Sequence, residues 1–280
     1  MSRPLLVFTT DFGLTDSYVG VMKGVALSIN PALRFIDLTH QVPPQNVAHG
    51  AFALGSSYRY FPAGAIHVAV VDPGVGTSRR PILLQTPQGS FVAPDNGLLS
   101  RVLSEYLPEQ PTGADEVIVP PVLRAFHLNN PDYWLHPVSN TFHGRDVFTP
   151  AAAHLSLGVA PESLGEPAGA LAWLPLPQAS VTPEGLRGEI IYSDVYGNLI
   201  SNIPATLLEG RQLAELRIRG RSIRRLSATF LDAGDGGATQ ELIALFGSHG
   251  YLEVAAPNGS AASALSAGPG EPVTVTVDTG

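Results

Sequence analysis

A carboxylate and a guanidinium, Asp72 and Arg79, flank the loop Pro73-Gly74-Val75-Gly76-Thr77. The loop follows an apolar run ending at Val71, so a strand would hold Asp72 while the glycines, lacking Cβ, let backbone approach a ligand closely. An imidazole comes later, in Phe142-His143-Gly144-Arg145-Asp146. Acid, cation and imidazole brought together are how active sites are often built. Asp72, Arg79 and His143 are therefore the candidate catalytic group. The same residues also fit plain structure, since Asp-Pro-Gly is turn chemistry and Asp146 would serve as a helix cap.

Other polar residues sit at similar junctions. Thr9-Thr10-Asp11-Phe12-Gly13 closes the first apolar run. Asp-Phe-Gly also occurs in protein kinases, but neither a His-Arg-Asp loop nor a phosphate-binding glycine loop accompanies it. Asp11 suits a sugar diol, whose two hydroxyls a carboxylate can accept from together. Asp194-Val195-Tyr196-Gly197-Asn198, Phe246-Gly247-Ser248-His249-Gly250 and Pro257-Asn258-Gly259-Ser260 are further connectors, each good turn chemistry by itself.

The elements that would position these residues change character along the chain. Over residues 1–160 short β-branched runs at 5–9, 35–38, 66–71, 82–85, 91–93 and 116–119 alternate with helical patterns at 16–29, 46–60, 98–106 and 147–157. This predicts an α/β domain with helices on a mostly parallel sheet, where ligands collect at the carboxyl ends of strands. Asp11 and Asp72 would both lie there. Residues 161–185 are rich in proline and poor in periodicity, which predicts a surface linker. Residues 186–280 read as strands at 188–193, 199–202, 213–219, 241–246, 251–254 and 273–277, a smaller all-β, barrel-like domain, with 260–268 helical.

Composition narrows the function. A net charge of −8 disfavours a nucleic-acid binder, which needs cations to displace phosphate counterions. The basic stretch from Arg217 to Arg225 interleaves Arg217, Arg219, Arg221, Arg224 and Arg225 with apolar residues and reads as a half-solvated strand pair turning near Gly220. The absence of cysteine excludes disulfides, thiolate metal sites and cysteine nucleophiles. No apolar run reaches the ~18 residues of a spanning helix, and the Met-Ser-Arg start lacks a signal-peptide pattern. A cytoplasmic protein with no membrane or nucleic-acid partner is the expectation. A metal-dependent hydrolase using Asp11, Asp16, Asp72 and His143 is an alternative, though no compact ligand motif such as His-Glu-x-x-His is present.

Taken in order, Phe8-Thr-Thr-Asp11-Phe-Gly, Val-Asp72-Pro-Gly-Val-Gly-Thr, Ala93-Pro-Asp95-Asn-Gly97, Phe142-His143-Gly-Arg145-Asp146, Asp194-Val-Tyr-Gly-Asn198 and Asn258-Gly-Ser-Ala-Ala resemble the S-adenosylmethionine hydroxide adenosyltransferases, relatives of the fluorinase and chlorinase. The halogenating relatives carry tyrosine, threonine and serine at the positions of Asp72, Val75 and Gly144. The resemblance is thus to the water-using branch, with Asp72, Arg79 and His143 its catalytic residues. It implies attack of water on ribose C5′ of S-adenosylmethionine, giving adenosine and L-methionine, with no cofactor and no metal. It also implies that Asp11 binds the ribose, Asp194 and Ser248 the methionyl amino acid, and Asn198 the adenine, with Tyr196 and Asn258 at the same site. A homotrimer with an interdomain, intersubunit site follows from the same resemblance. A protein that only binds S-adenosylmethionine or adenosine is the alternative.

Overall fold

The computed structural model describes residues 3–113, 115–224, 226–230 and 241–277, which fall into two units, Met1–Leu176 and Pro177–Gly280. Arg225, the last of the basic stretch, lies outside the described residues.

In the first unit β1 (Leu5–Thr10), α1 (Tyr18–Ile29), β2 (Arg34–Thr39), α2 (Val47–Gly55) and β3 (Ala65–Val70) come first. They are followed by β4 (Pro81–Gln85), β5 (Gly89–Pro94), α3 (Ser100–Ser104), β6 (Glu116–Ile118) and β7 (Arg124–His127). The unit closes with α4 (Thr149–Ser156), α5 (Pro161–Leu164), β8 (Glu166–Pro167) and β9 (Ala170–Ala172). Seven strands form one sheet in the order β2-β1-β3-β5-β4-β7-β8. The four strands β2, β1, β3 and β5 are parallel, and β4, β7 and β8 extend them antiparallel. Every residue of β1 and β3 is buried, as strands covered on both faces require. Alternate strand residues divide between two cores. Leu6, Phe8, Val68 and Val92 pack with Met22, Ala26 and Ala152, from α1 and α4, on one face. Ala69, Leu84, Phe91 and Ala93 pack with Leu54, Val102 and Leu103, from α2 and α3, on the other.

Three expectations need correction. The strand β7 was not foreseen; its two buried residues, Ala125 and Phe126, leave no alternation to detect. The strand expected at 116–119 is not part of the main sheet but pairs with β9. Residues 161–176, assigned to a linker, belong to the first unit. Leu164, Leu171 and Trp173 anchor them in its cores, and burial rather than proline content decides where they go.

The second unit holds β10 (Ser180–Thr182), β11 (Gly185–Ser193), β12 (Leu199–Pro204), β13 (Leu213–Ile218), β14 (Arg221–Ile223), β15 (Ile243–Phe246), β16 (Tyr251–Ala255), α6 (Ala261–Leu265) and β17 (Pro272–Val277). Its strands run antiparallel in the order β14-β13-β17-β11-β12-β16-β15, with β10 on β11. Beyond β14, Leu226 bridges Ala244 of β15, and Ser227 donates its N–H to the Ala244 carbonyl at 2.8 Å, bringing the two sheet edges together. The result is a nearly closed, barrel-like sheet around Leu186, Ile190, Leu216, Leu252 and Val275. The arginine-rich stretch is the β13–β14 hairpin, turning at Arg219 and Gly220, both with positive φ.

Candidate active site

The parallel half of the sheet ends with the two candidate carboxylates at one edge. Thr10 pairs with Val70 across β1 and β3, so Asp11 and Asp72 both leave their strands at the carboxyl end, where open α/β sheets bind ligands. The backbone ahead of Asp72 is held by Asn96, whose Nδ2 donates to the Val71 carbonyl at 2.9 Å. The glycine-rich loop then turns back. Gly76, at φ 76°, passes so near the Asn140 carbonyl that a Cβ there would overlap it, bringing the loop after Asp72 against the segment before His143.

This fold-back joins the three predicted residues. Arg79 Nε donates to both Asp72 oxygens, at 2.9 and 2.8 Å, and its terminal nitrogen also bonds Asp72 Oδ2. That nitrogen is 2.8 Å from Nδ1 of His143, across 64 residues of sequence. The guanidinium also lies over the Phe148 ring, 5.0 Å from its centroid. Only 9% of the Arg79 side chain and 5% of that of Asp72 is exposed. Arginine has no acceptor atom, so Nδ1 of His143 must receive the bond and the proton of the neutral ring sits on Nε2. Burial, reinforced by the Arg79 charge, pushes the His143 pKa below its ordinary value, which favours that neutral ring.

His143 immediately precedes a π-helical turn, Gly144–Phe148, that runs into α4. Such turns carry one residue more than an α turn and recur at functional sites. Gly144 packs tightly there. An added Cβ would lie 3.2 Å from Met22 Sδ and 3.3 Å from the rings of Phe12 and Phe142. Those rings stand 5.8 Å apart edge-on, linking the Asp11 turn to the His143 segment. Asp146 is not the cap that its position suggests. It is wholly buried, pairs with Arg145 Nε at 2.6 Å and accepts the Ser139 N–H at 2.8 Å, so it fastens the segment leading into His143. Asp11, half-buried, accepts the Gln45 N–H at 2.7 Å.

In the second unit the predicted residues divide between two ends of one strand pair. Asp194 Oδ1 accepts the N–H groups of Tyr196 and Asn198 at 3.0 and 2.8 Å, and Oδ2 accepts Nδ2 of Asn198 at 2.8 Å. Tyr196 is 75% exposed at the tip of this turn, while Asn198 is buried. Gly197, at φ 79°, lies against Ser260 and accepts the Ala262 N–H at 2.9 Å. The exposed Asn258 precedes that contact by two residues. Ser248 lies elsewhere, exposed in the turn between β15 and β16. Leu199, next to Asn198, pairs with Val254, whereas Pro204 pairs with Tyr251, so Ser248 is at the opposite end of β12 and β16 from Asp194.

Residues that position the site went unrecognised in the sequence. Asn96 and Asp146 act on backbone, and nothing local distinguishes an Asn or Asp that does so from one in an ordinary turn. Among the described residues no cluster of three or more metal-ligating side chains occurs, and no helix is long and apolar enough to cross a membrane.

Comparison with known proteins places the chain in a family. Residues 6–165 match the SAM hydroxide adenosyltransferase N-terminal domain and residues 188–274 the C-terminal domain. The (R)-S-adenosyl-L-methionine hydrolase of Salinispora arenicola is 41% identical over 278 residues, 98% of each chain. The enzyme of the same name from Salinispora tropica is 39% identical, again over 98% of both. Among solved structures, an uncharacterized conserved protein from Thermotoga maritima superposes with a TM-score of 0.83 at 33% identity, covering 96% of this chain and 99% of its own. With both domains matched and the likeness running end to end, the chain belongs to the SAM hydroxide adenosyltransferase family.

Proposed function

We propose that this protein is an S-adenosyl-L-methionine hydrolase. Water displaces methionine at ribose C5′, leaving adenosine and L-methionine. The observation that carries this reading is the partly buried Asp72–Arg79–His143 cluster at the carboxyl edge of the parallel strands, in a chain alike throughout to proteins named (R)-S-adenosyl-L-methionine hydrolase. The relatives' names also favour the (R) form of the substrate.

In this displacement an O–C5′ bond forms as the C5′–S bond breaks, and the departing electron pair neutralises the sulfonium. No acid is needed for so good a leaving group. Placement of the water in line with the breaking bond is the main demand. His143 Nε2–H is a donor, so the ring orients the water's oxygen and does not act as base. Asp72 is then the group to receive the proton, its oxygens retaining lone pairs beside those that Arg79 occupies. A carboxylate is a weak base, but a water half-bonded to carbon is far more acidic than free water. Arg79 holds acid and imidazole in place and offsets the oxygen's developing charge.

The other assignments belong to the same proposal: Asp11 on the ribose hydroxyls, Asp194 on the methionyl amino acid, Asn198 on the adenine with Tyr196 and Asn258 beside it; Ser248, at the other end of β12 and β16 from Asp194, would join the methionyl group from a second copy of the chain. A homotrimer that shares each site between subunits, working in the cytoplasm without cofactor, completes it. Incubation with S-adenosylmethionine in ¹⁸O-labelled water tests the chemistry. Labelled 5′-hydroxyl in released adenosine is expected. Unlabelled adenosine would refute attack by solvent, and recovery of intact ligand would make this a binding protein. Mixing inactive Asp72→Asn and Asp194→Ala subunits should restore some activity if sites are shared; no recovery after demonstrated exchange would refute sharing.

A further inference from the structure

A second chain of polar side chains runs beneath the Asp11 turn. Nδ1 of His40 lies 2.7 Å from Oγ1 of Thr10, the last residue of β1. Thr10 is wholly buried and His40 is 3% exposed. Nε2 of His40 stands 3.0 Å from Asp37 Oδ1, off the line of a good hydrogen bond. Asp37 Oδ2 in turn accepts from Nζ of Lys23, on α1, at 2.6 Å. Lys23 is the only lysine of the protein. A carboxylate has no proton to give, so the ring nitrogen facing Asp37 carries the N–H, and in the neutral ring Nδ1 is left to accept. Thr10 then donates its hydroxyl to His40, and its oxygen accepts the N–H of Phe12 at 3.2 Å.

The same short segment is tied again on either side. Gly13 donates its N–H to the His40 carbonyl at 2.7 Å, and Gln45 donates to Asp11. Gln45 sits at φ 64°, a left-handed conformation that a residue with a side chain rarely adopts. Hydroxyl, imidazole and carboxylate in series also describe an activated nucleophile. Here that role fails, because the Thr10 oxygen is buried and already serves the Phe12 amide.

We propose that Lys23, Asp37, His40 and Thr10 form a positioning relay that fixes the aim of Asp11, and through it recognition of the ribose diol, with no member touching the ligand. This rests on the assignment of Asp11 to the ribose. Calorimetric binding of adenosine and of 2′,3′-dideoxyadenosine separates the two ideas. Wild-type protein should prefer adenosine, and Asp11→Ala should lose the preference; equal binding of both nucleosides by wild type would overturn the Asp11 assignment and the relay together. With the preference established, Thr10→Val and His40→Gln should cut it by about three- to tenfold, the worth of one hydrogen bond. Thr10→Ser should retain it. Lys23→Met, at the partly exposed outer end, should cut it by about twofold, and none of these changes should matter in an Asp11→Ala background. Affinity for the dideoxynucleoside should stay constant throughout. Full discrimination in Lys23→Met and Thr10→Val, or equal weakening toward both nucleosides, would overturn the relay while leaving Asp11 in place; if Thr10→Val does not fold, Lys23→Met and Thr10→Ser decide it.

Discussion

The two units hold their polar groups in opposite ways. In the first, Asp72, Arg79 and His143 come from a strand end, a loop and the start of a π turn, and their contacts span up to 64 residues. In the second, Asp194 and Asn198 are four residues apart and satisfy each other within one turn. A cluster built by tertiary structure can lose one charge while the sheet behind it persists. A turn built by one carboxylate loses its shape with that carboxylate. Variants in the first unit should therefore separate chemistry from binding, and those in the second should not.

The largest effect is expected at Asp72. Asp72→Asn should slow turnover by roughly 10²-fold or more, the scale of a positioned acid–base group, with adenosine affinity changed less than about tenfold. Single-turnover release and calorimetry on the same preparation check it, and loss of binding without loss of turnover per bound ligand would reverse the roles. His143→Ala should follow closely. Wild-type kcat/KM should fall on acidification through a pKa below the ordinary histidine value, because burial and Arg79 depress it and a protonated ring cannot accept from Arg79. That acid limb should vanish in His143→Ala.

Asp194→Ala should raise KM and also lower stability by about 1–3 kcal/mol, since it strips acceptors from two amides and the Asn198 side chain. Binding loss with unchanged thermal unfolding would show that the turn keeps its shape unaided. An effect on stability alone, with none on turnover, concerns His67 of β3. Its ring is 1% exposed, stacked 4.9 Å from Phe91, and burial lowers its pKa to about 4. The unfolded chain takes up the proton first, so this contribution is complete above about pH 6.5 and is lost as pH falls toward 4, on the order of 3 kcal/mol over that window. Denaturant titrations of His67→Phe should show a flatter pH dependence; an identical slope would remove His67 from the account. Chelators should leave activity unchanged, since the sulfonium supplies the positive charge a metal would otherwise provide. Reversible loss with EDTA would contradict this.

What was legible in the sequence was whatever short-range pattern encodes. The buried runs of β1 and β3 and the polar residues that end them located the carboxyl edge where Asp11 and Asp72 lie, and the residue types of Asp72, Arg79 and His143 suggested the group that the structure brings together. Asp194, Tyr196 and Asn198 read as a turn and form one. The remainder depends on partners distant in sequence. Nothing in Phe35-Ile36-Asp37-Leu38-Thr39-His40 indicates that Asp37 meets Lys23 or that His40 meets Thr10. Trp173 and Leu171 lie among prolines, and only the core they fill shows that their segment is not a tether. Asp146 looks like a cap because caps are local, whereas its burial comes from the chain folding over it.

The π turn after His143 has a consequence for how this site tolerates change. An α-helix rotates by about 100° per residue, so the extra residue between Gly144 and Phe148 fixes the direction in which the preceding imidazole points. Deleting one residue within that turn, such as Val147, should let the segment wind as a regular helix and swing His143 away from Arg79 with Asp72, Arg79 and His143 all still present. At this point length matters as much as identity: two chains with the same motif but a gap of one residue just beyond it would carry the same residues with a different aim.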